Sequence, residues 1–425
     1  MKILWITNQP VPELAKKLGI SVSNGGGWMN KLADQIAVNN ELGIAFPKRG
    51  KDLIEIETGN IVGFAFPAKK RATTPDHRTV AKLEIIISEF KPDIIHIWGT
   101  EYVHSYCAVK ACEELKETEK VLISIQGMVS IYAKHFYASI SPGKLLFPTA
   151  HDIRRGSSVR HQYKDFIKRG KYEIKAIQNI RHVIGRTDWD KACTTQINPK
   201  INYHFCNETL RSSFYDSKWC LEKCEKHSIF VSQSQYPIKG FHLLLEALPL
   251  LLKKWPDCKV YTTGRIYQGN CINDWEKMCN YDGYICKTIK KLNLKDHVYS
   301  TGTLSEKEMK ERYLKSHVFV SPSSIENSPN SVGEAMILGM PVVASDVGGV
   351  TNMMQHEVEG FIYQYDAPYM LAYYIDKIFS DDEVAVSLGM NARKRALVTH
   401  NPEINHRTMI GIYSTIKSET IEKMD

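Results

Sequence analysis

The segment Ser321–Gly349 reads SPSSIENSPNSVGEAMILGMPVVASDVGG, and its pattern indicates a strand, a polar loop, a helix and a second strand in succession. The apolar run Val318–Ser321 predicts the first strand, and the helix is expected to begin near Asn330. Gly339 and the proline two residues after it predict the end of the helix, because glycine tolerates the left-handed backbone found there and proline cannot continue a helix. Val342–Ala344 then predicts the second strand.

Short apolar runs alternate with longer amphipathic stretches on both sides of this segment, which is typical of doubly wound α/β domains. The other predicted strands are Ile3–Thr7, Ile44–Pro47, Ile61–Phe66, Asp93–Trp98, Val121–Gln126, Val183–Gly185, Ile229–Ser232, Lys259–Thr262, Val298–Ser300 and Phe361–Tyr363. The polar stretch Asp216–His227 separates the two series and is the predicted linker. We therefore predict an N-terminal domain at residues 1–220, a C-terminal domain at 221–400, and a terminal helix at 401–425 that packs back toward the N-terminal domain.

The composition is that of an ordinary globular protein, with 425 residues, 43% hydrophobic and 24% charged. No stretch approaches the ~20 apolar residues that span a bilayer, and the N-terminus turns polar too soon for a signal peptide, so a cytoplasmic location is expected. The net charge of +8 is modest and predicts no nucleic-acid partner. Residues 151–175 carry eight Lys/Arg against three Asp/Glu, which fits either peripheral contact with the inner face of a membrane or a solvated helix face.

One carboxylate precedes the predicted helix of the opening segment, and a second lies in its first turn. Because ligands of parallel α/β sheets bind outside the carboxyl ends of the strands, the cleft between two such domains is the expected active site. Glu326 and Glu334 would lie at its rim, and carboxylates suit sugars because each accepts hydroxyl hydrogen bonds. Gly348 and Gly349 would let backbone N–H groups approach a phosphate. The alternative is that Glu334 forms a capping box with Ser331 and that Glu326 is an ordinary loop acid.

These residues resemble glycosyltransferase family four, the large retaining group with the GT-B architecture. The resemblance rests on the Glu326-x7-Glu334 pair, the EAMxxGxPVVAS run and the trailing Gly-Gly. It implies two Rossmann-like doubly wound domains facing across a cleft. It also implies retaining transfer of a sugar from a nucleoside-diphosphate sugar, with UDP expected, to a glycan or lipid-linked acceptor in surface polysaccharide synthesis. Glu326 would then lie near the transferred sugar, and Glu334 would hold the ribose hydroxyls.

The resemblance also implies a set of donor-binding residues. Lys239, in the Lys-Gly pair after the first strand of the second domain, would contact the donor pyrophosphate and act with Glu326 as a catalytic residue. Gln233 stands where many relatives have an arginine, and Arg265 is the candidate to compensate. The remaining donor-side candidates are Gly25, Gly26, Gly27, Asn330 and Ser331.

Acceptor-side candidates follow the strands of the first domain. Gln126 stands where many relatives have a histidine, and it can still hydrogen-bond a hydroxyl group. Glu101, His104 and His135 lie in or after neighbouring loops, where a purely structural role for each histidine is the alternative.

We expect no metal and no cofactor, since the nucleotide sugar is a substrate. Asp188-x-Asp190 looks like the metal motif of the other large glycosyltransferase fold, but Asp188 or Thr187 as a helix N-cap explains it more simply. No standard zinc spacing fits the group His204, Cys206, Cys220 and Cys224.

Three other functions suit two Rossmann-like domains. A dinucleotide-dependent oxidoreductase would need the GxGxxG fingerprint after the first strand, which this sequence lacks. A nucleotide-sugar epimerase would need acid and base groups around the sugar and no acceptor. A catalytically silent nucleotide-sugar-binding protein is disfavoured by the presence of Glu326, Glu334 and Lys239.

Overall fold

The structure is a computed structural model that describes residues 1–20, 27–68, 72–267, 274 and 276–422. Two compact units divide the chain between them. The first consists of Met1–Ala133, Asp165–Arg211 and the segment that begins at His400. The second consists of Lys134–Lys164 and Ser212–Thr399. Each unit is built around one β-sheet, as the alternating sequence pattern predicts.

The sheet of the first unit has eight strands. They are β1 Lys2–Ile6, β2 Glu41–Lys48, β3 Ile54–Thr58, β4 Ile61–Pro67, β5 Ile94–Trp98, β6 Val121–Ser124, β7 His182–Gly185 and β8 Asn202–Phe205. Their order is β3-β4-β2-β1-β5-β6-β7-β8, and all neighbours are parallel except β3 and β4. The two edge strands, β3 and β8, were not predicted from the sequence. Most side chains of β3 and all side chains of β8 are partly or fully exposed, so neither strand has the continuous apolar run of a buried parallel strand.

The sheet of the second unit has six parallel strands. They are β9 Glu225–Val231, β10 Lys259–Thr262, β11 Val298–Ser300, β12 Ser316–Ser321, β13 Val342–Ser345 and β14 Phe361–Tyr363. Their order is β11-β10-β9-β12-β13-β14. The order reverses between β9 and β12, the kind of position where ligands of doubly wound sheets bind.

Helices cover both sheets. Those of the first unit are Pro12–Lys17, Gly27–Ala37, His77–Phe90, Val103–Glu114, Val129–Tyr132, Asp188–Ile197 and Pro402–Glu422, and Val159–Gln178 runs through both units. Those of the second are Ala150–Arg155, Phe241–Leu252, Asn280–Lys291, Glu306–Lys315, Asn330–Leu338, Val350–Met353, Pro368–Ser380 and Asp382–Thr399. Short 3-10 turns occur at Thr118–Lys120, Ala133–His135, Pro142–Leu145, Ser212–Phe214, Leu221–Lys223 and Pro237–Lys239. Of the helices in the described ranges, none has both the length and the apolar character needed to cross a membrane.

The prediction that Asp216–His227 is a linker is wrong, because this stretch packs onto the second unit. Trp219 is buried, its indole N–H donates to the Ser316 carbonyl (2.8 Å), and its backbone N–H donates to the Leu338 carbonyl (2.7 Å). The Arg393 guanidinium also donates to the carbonyl of Ser217 (2.9 Å). The division between the units therefore falls at residue 211 rather than at residue 220.

Residues 134–164 belong to the second unit, although they fall within the predicted N-terminal domain. The carboxylate of buried Asp152 accepts from the backbone N–H of Asn280 (2.9 Å). The ring Nε2 of His242 lies 2.7 Å from the carbonyl of Ala138. These contacts join positions more than a hundred residues apart, so chain order alone could not assign the segment.

The helix Pro402–Glu422 lies in the first unit. The hydroxyl of Tyr413 is buried between the Trp5 indole N–H (3.0 Å) and Nδ1 of His96 (2.6 Å). The apolar side chains of the helix Pro402–Glu422 join the same core as those of the helix Gly27–Ala37. The terminal helix thus completes one face of the first sheet.

Candidate active site

The carboxyl ends of the second sheet bring several predicted site residues to one edge. Because β9, β10, β12 and β13 are all parallel, the loops that follow them leave the sheet on the same side. Lys239 follows β9, Arg265 follows β10, Glu326 follows β12 and Gly348 follows β13. This edge is the candidate donor site.

Lys239 and Glu326 form an ion pair at this edge. Nζ of Lys239 lies 2.5 Å from Oε1 of Glu326, and the hydroxyl of Ser323 donates to the same oxygen (2.7 Å). The Glu326 side chain is 9% exposed and that of Lys239 is 21% exposed. Burial acts to lower the pKa of Lys239, but the negative charge of Glu326 outweighs it, so the net pKa lies above the ordinary value. The ammonium therefore stays protonated beside its carboxylate.

Two glycines permit the close approach of loops around this pair. Gly240 ends the Pro237–Lys239 turn with a φ of 66°, and a side chain there would overlap the carbonyl oxygen of Pro322. Gly348 has a φ of 54°, and a side chain there would overlap the carbonyl oxygen of Glu326. Glycine alone adopts such backbone angles readily and leaves the space open.

The backbone N–H of Gly349 is already used inside the protein. It donates to the carbonyl of Glu326 (3.2 Å). The predicted approach of this N–H to a phosphate would require this bond to break. The close approach at Gly348 and the hydrogen bond of Gly349 hold the Glu326 loop against the loop that follows β13, and the phosphate contact predicted for both glycines stays a prediction.

Serine hydroxyls fix the Glu326 loop further, and the sequence analysis assigned them no role. The Ser345 hydroxyl donates to the Ser323 carbonyl (2.5 Å). The backbone N–H of Ser324 donates to the Ile238 carbonyl (2.8 Å), and its hydroxyl donates to the carbonyl of His135 (3.1 Å). The repeated serines of the opening segment were the available signal. Glu326 is therefore held by a loop with many internal hydrogen bonds.

Glu334 lies in the helix Asn330–Leu338 and is buried, with 7% of its surface exposed. The N-cap of this helix is Pro329, and no side chain caps its first turn. Ser331 is the second residue inside the helix, so the capping-box alternative for Ser331 and Glu334 is wrong. Asn330 and Ser331 are half-buried at the helix start, where the sequence predicts it.

The other donor-side candidates are more exposed or fall outside the described residues. Gln233 is exposed after β9, and Arg265 is exposed with its guanidinium 5.7 Å from the ring centre of Tyr267. Gly25 and Gly26 lie outside the described residues. Gly27 begins the helix Gly27–Ala37 in the first unit.

Gln126 leads a buried polar chain at the carboxyl edge of the first sheet. Its amide nitrogen donates to Oε1 of Glu208, whose other carboxylate oxygen pairs with Arg186. Arg186 and Glu208 are 7% and 8% exposed, whereas Gln126 is half-buried. Because a carboxylate only accepts, the Gln126 nitrogen must face Glu208, and its oxygen points away from it. Arg186 and Glu208 were not among the predicted site residues, since nothing in their local sequence indicates burial.

Glu101 has a strongly shifted pKa in the first unit. Burial raises the pKa of this carboxyl to about 7, and the nearby negative charge of Glu173 adds to the rise. Its Oε2 is buried without a hydrogen-bond partner in the described part of the chain. Glu173 itself accepts from Thr100 (2.7 Å) and from the backbone and hydroxyl of Ser130 (2.8 Å and 2.5 Å).

The two predicted acceptor-side histidines occupy different units. His104 is buried in the first unit, stacked on Tyr102 at 5.7 Å and packed edge-on against Phe66 at 5.9 Å. Burial lowers the pKa of His104 to about 4, so the ring is neutral at physiological pH. His135 is exposed and belongs to the second unit, where its carbonyl receives the Ser324 hydrogen bond.

The Asp188-x-Asp190 motif caps a helix. Thr187 is the N-cap of Asp188–Ile197, and Asp190 closes the capping box, which confirms the N-cap interpretation. The ring of His204 contacts that of His182 at 3.0 Å, and Cys206 and Cys220 lie in different units. Within the described ranges, no group of three or more His, Cys, Asp or Glu side chains is placed to hold a metal ion.

Residues 216–395 match the family model described as glycosyl transferases group 1. The chain is similar to the uncharacterized glycosyltransferase MJ1607 of Methanocaldococcus jannaschii, at 29% identity over 73% of this chain and 72% of that protein. It is also 29% identical to spore coat protein SA of Bacillus subtilis, over 37% of this chain. The chain spans only 42% and 41% of the length of the first two curated relatives that it matches, both from Bacillus subtilis.

Two solved structures share the fold across nearly the whole chain. Sucrose-phosphate synthase from Thermosynechococcus elongatus is 15% identical, with a TM-score of 0.71 over 99% of this chain and 100% of that chain. Anabaena HepE in complex with UDP-glucose is 16% identical, with a TM-score of 0.66 over 98% of this chain and 100% of that chain. The two Rossmann-like units therefore have the GT-B fold.

Proposed function

We propose that the chain is a retaining glycosyltransferase of the glycosyl transferases group 1 family, whose model matches residues 216–395. It moves a sugar from a nucleoside-diphosphate sugar to a glycan or lipid-linked acceptor. The observation that carries this proposal is the ion pair between Lys239 and Glu326 at the carboxyl edge of the second sheet. A cytoplasmic location, a role in surface polysaccharide synthesis and membrane contact through residues 151–175 stay predictions.

The proposed reaction is a substitution at the anomeric carbon of the donor sugar. The bond from that carbon to the diphosphate oxygen breaks, and its electron pair leaves with the phosphate. The acceptor hydroxyl oxygen forms the new bond on the same face, and its proton passes to the leaving phosphate oxygen. The transition state has oxocarbenium character, with negative charge growing on the phosphate.

Lys239 is the group best placed to stabilise that growing charge. Its ammonium stays protonated, it is mostly shielded from water, and its position is set before the donor binds by Glu326 and the Pro237–Lys239 turn. A preorganised cation in a water-poor site stabilises an oxyanion far better than a mobile one in water. The reaction then needs no metal ion to neutralise the diphosphate.

Glu326 has two tasks in this proposal. One of its oxygens holds Lys239 and Ser323, and its carboxylate retains acceptor capacity for sugar hydroxyls. Its carbonyl receives the Gly349 N–H, so the backbone of the loop is fixed as well. Glu334, buried in the first turns of its helix, is proposed to accept from the ribose hydroxyls.

A UDP-sugar is the proposed donor. The support is the shared fold with HepE, whose structure holds UDP-glucose. Thermal unfolding with a panel of nucleotide sugars tests this choice, because a ligand present at 100 times its Kd stabilises the native state by about 2.7 kcal/mol. We expect UDP-sugars to raise the Tm more than GDP- or ADP-sugars.

Product analysis separates the transferase from its alternatives. Incubating the protein with the stabilising donor and a set of glycan acceptors should release nucleoside diphosphate and yield a lengthened glycan. Conversion of the donor into its epimer without an acceptor would favour an epimerase. Stabilisation by the donor with neither product would favour a silent binding protein.

A further inference from the structure

Three large apolar side chains project into solvent within eight residues of the second unit. Leu146 is 50% exposed, Phe147 is 82% exposed and Ile153 is 76% exposed. Isolated exposed apolar residues are common, but a group of large ones in one short segment marks an interaction surface. We call residues 144–160 the apolar-basic surface.

The backbone of this surface is firmly attached to the unit beneath it. The carbonyl of buried Leu145 accepts from the side-chain amide of Asn280 (2.9 Å). The Thr149 hydroxyl donates to the carbonyl of Met278 (2.8 Å), and Asp152 accepts from the Asn280 backbone N–H (2.9 Å). The apolar side chains are therefore presented by an anchored backbone.

The charge around these side chains is positive. Residues 144–160 carry the four cations Lys144, Arg154, Arg155 and Arg160. Their one acid, Asp152, is buried and caps the helix Ala150–Arg155. The supporting segment adds the acids Glu276, whose carbonyl accepts from Arg154 (3.4 Å), and Asp282, which lies near His151 and Asp152, and it adds the cation Lys277. The exposed residues of the surface itself are therefore all cationic or neutral, and the cations still outnumber the acids when the supporting segment is included.

We propose that the apolar-basic surface docks on an anionic lipid bilayer, with Phe147 and Ile153 entering the interface and the arginines facing lipid phosphates. Stable attachment to a membrane surface takes two signals, usually an apolar insertion and a cluster of cations. A free phosphate ligand would account for the cations but not for the exposed Phe147. A protein partner with an acidic, apolar groove is the competing occupant. This proposal does not depend on the catalytic one.

The test uses the full chain and sedimentation with two kinds of vesicle, phosphatidylcholine alone and phosphatidylcholine with phosphatidylglycerol. Wild type is expected to bind the anionic vesicles at least tenfold more tightly, and added salt is expected to weaken that binding. Each cation near the surface contributes about fivefold to binding, so Arg154→Glu/Arg155→Glu should lower affinity for anionic vesicles at least tenfold. Phe147→Glu/Ile153→Glu should lower binding to the same extent.

A matched control keeps the readout specific. Val398 is 68% exposed on the helix Asp382–Thr399 of the same unit, so Val398→Glu should leave vesicle binding unchanged. All substituted side chains are exposed, and unchanged Tm values would show that the variants fold. Phe147→Trp adds a second readout, an emission shift to the blue when anionic vesicles are added.

Several results would overturn the proposal. They are equal binding of wild type to both vesicles, retained binding by Phe147→Glu/Ile153→Glu, and an unshifted Phe147→Trp emission. Displacement of the protein from vesicles by excess glycerol phosphate would indicate a phosphate pocket instead of a bilayer surface. Absence of vesicle binding would leave an acidic protein partner as the occupant.

Discussion

Nζ of Lys239 lies 2.5 Å from Oε1 of Glu326, across 87 residues of sequence. The two side chains follow β9 and β12, the neighbouring strands at which the order of the second sheet reverses. The carboxylate of Glu326 outweighs the effect of burial on Lys239 and keeps the pKa of its ammonium above the ordinary value. A fixed cation is thus placed where a doubly wound sheet binds its ligand.

Lys239→Ala should lower the rate of sugar transfer by about 10²-fold or more, because it removes one preorganised charge contact to the leaving phosphate. The measurement is release of nucleoside diphosphate under saturating donor and acceptor. Lys295→Ala, at an exposed lysine of the same unit, is the matched control. Wild-type turnover in Lys239→Ala would remove the phosphate role from this residue.

Transfer should continue undiminished when a chelator is present, because protein groups rather than a metal ion neutralise the diphosphate in the proposed reaction. The measurement is the turnover rate of chelator-treated protein with and without added manganese or magnesium. A rate that depends on the added ion would contradict a charge site in which Lys239 neutralises the diphosphate.

Glu101 should make the protein less stable as the pH rises from its unfolded pKa, near 4.5, toward its folded pKa of about 7. Within this window the folded state holds a proton that the unfolded state has lost, so the free energy of unfolding falls with increasing pH. Glu101→Gln removes this pH dependence. The free energy of unfolding of the variant, taken relative to that of wild type, should therefore rise by about 2–3 kcal/mol from the low-pH end to the high-pH end of the window.

Urea unfolding of both proteins at the two ends of this window measures the effect. Glu173, whose pKa is raised in the same direction by burial, remains in both proteins and so largely cancels in the comparison. A difference between the two proteins that stays constant with pH would show that Glu101 keeps an ordinary pKa.

Arg186→Met should destabilise the first unit by about 3–5 kcal/mol, because it leaves the buried carboxylate of Glu208 without its cation. The double variant Arg186→Met/Glu208→Met should recover most of the loss, since it buries two apolar side chains in place of two charges. Urea unfolding of the two single variants and the double variant gives the coupling energy. Additive losses would mean that the pair does not interact.

The buried parallel strands could be predicted because both of their faces are covered, which selects continuous apolar runs such as that of β5. The edge strands β3 and β8 carry no such run and were missed. Glu326 could be nominated because it follows a strand of the predicted parallel sheet, whereas Lys239 was nominated through the resemblance to glycosyltransferase family four. The contact between them could not be read from the sequence, since it depends on glycines 240 and 348 letting three loops approach each other.

The assignment of Trp219 also depended on the tertiary structure. A single tryptophan in a polar stretch forms no periodic pattern, so the sequence of Asp216–His227 predicts a linker. The burial of this stretch follows only from the tertiary contact in which the Trp219 indole N–H donates to the Ser316 carbonyl. Residues 134–164 were misplaced for a related reason, because their partner Asn280 lies far along the chain. The burial of Arg186 and Glu208 likewise could not be predicted from the sequence, since charged residues are usually exposed.

The sequence by itself determined the succession of strands and helices and the side of the sheet on which Lys239 and Glu326 emerge. Hydrophobic periodicity and the glycine and proline residues that end helices and strands are local properties. The alternation of strands and helices that they indicate predicts parallel strands. The tertiary structure alone decided which charged groups meet, which backbone N–H groups are already bonded, and which apolar side chains of residues 144–160 remain in solvent. Those outcomes depend on contacts between distant parts of the chain, for which no local pattern exists.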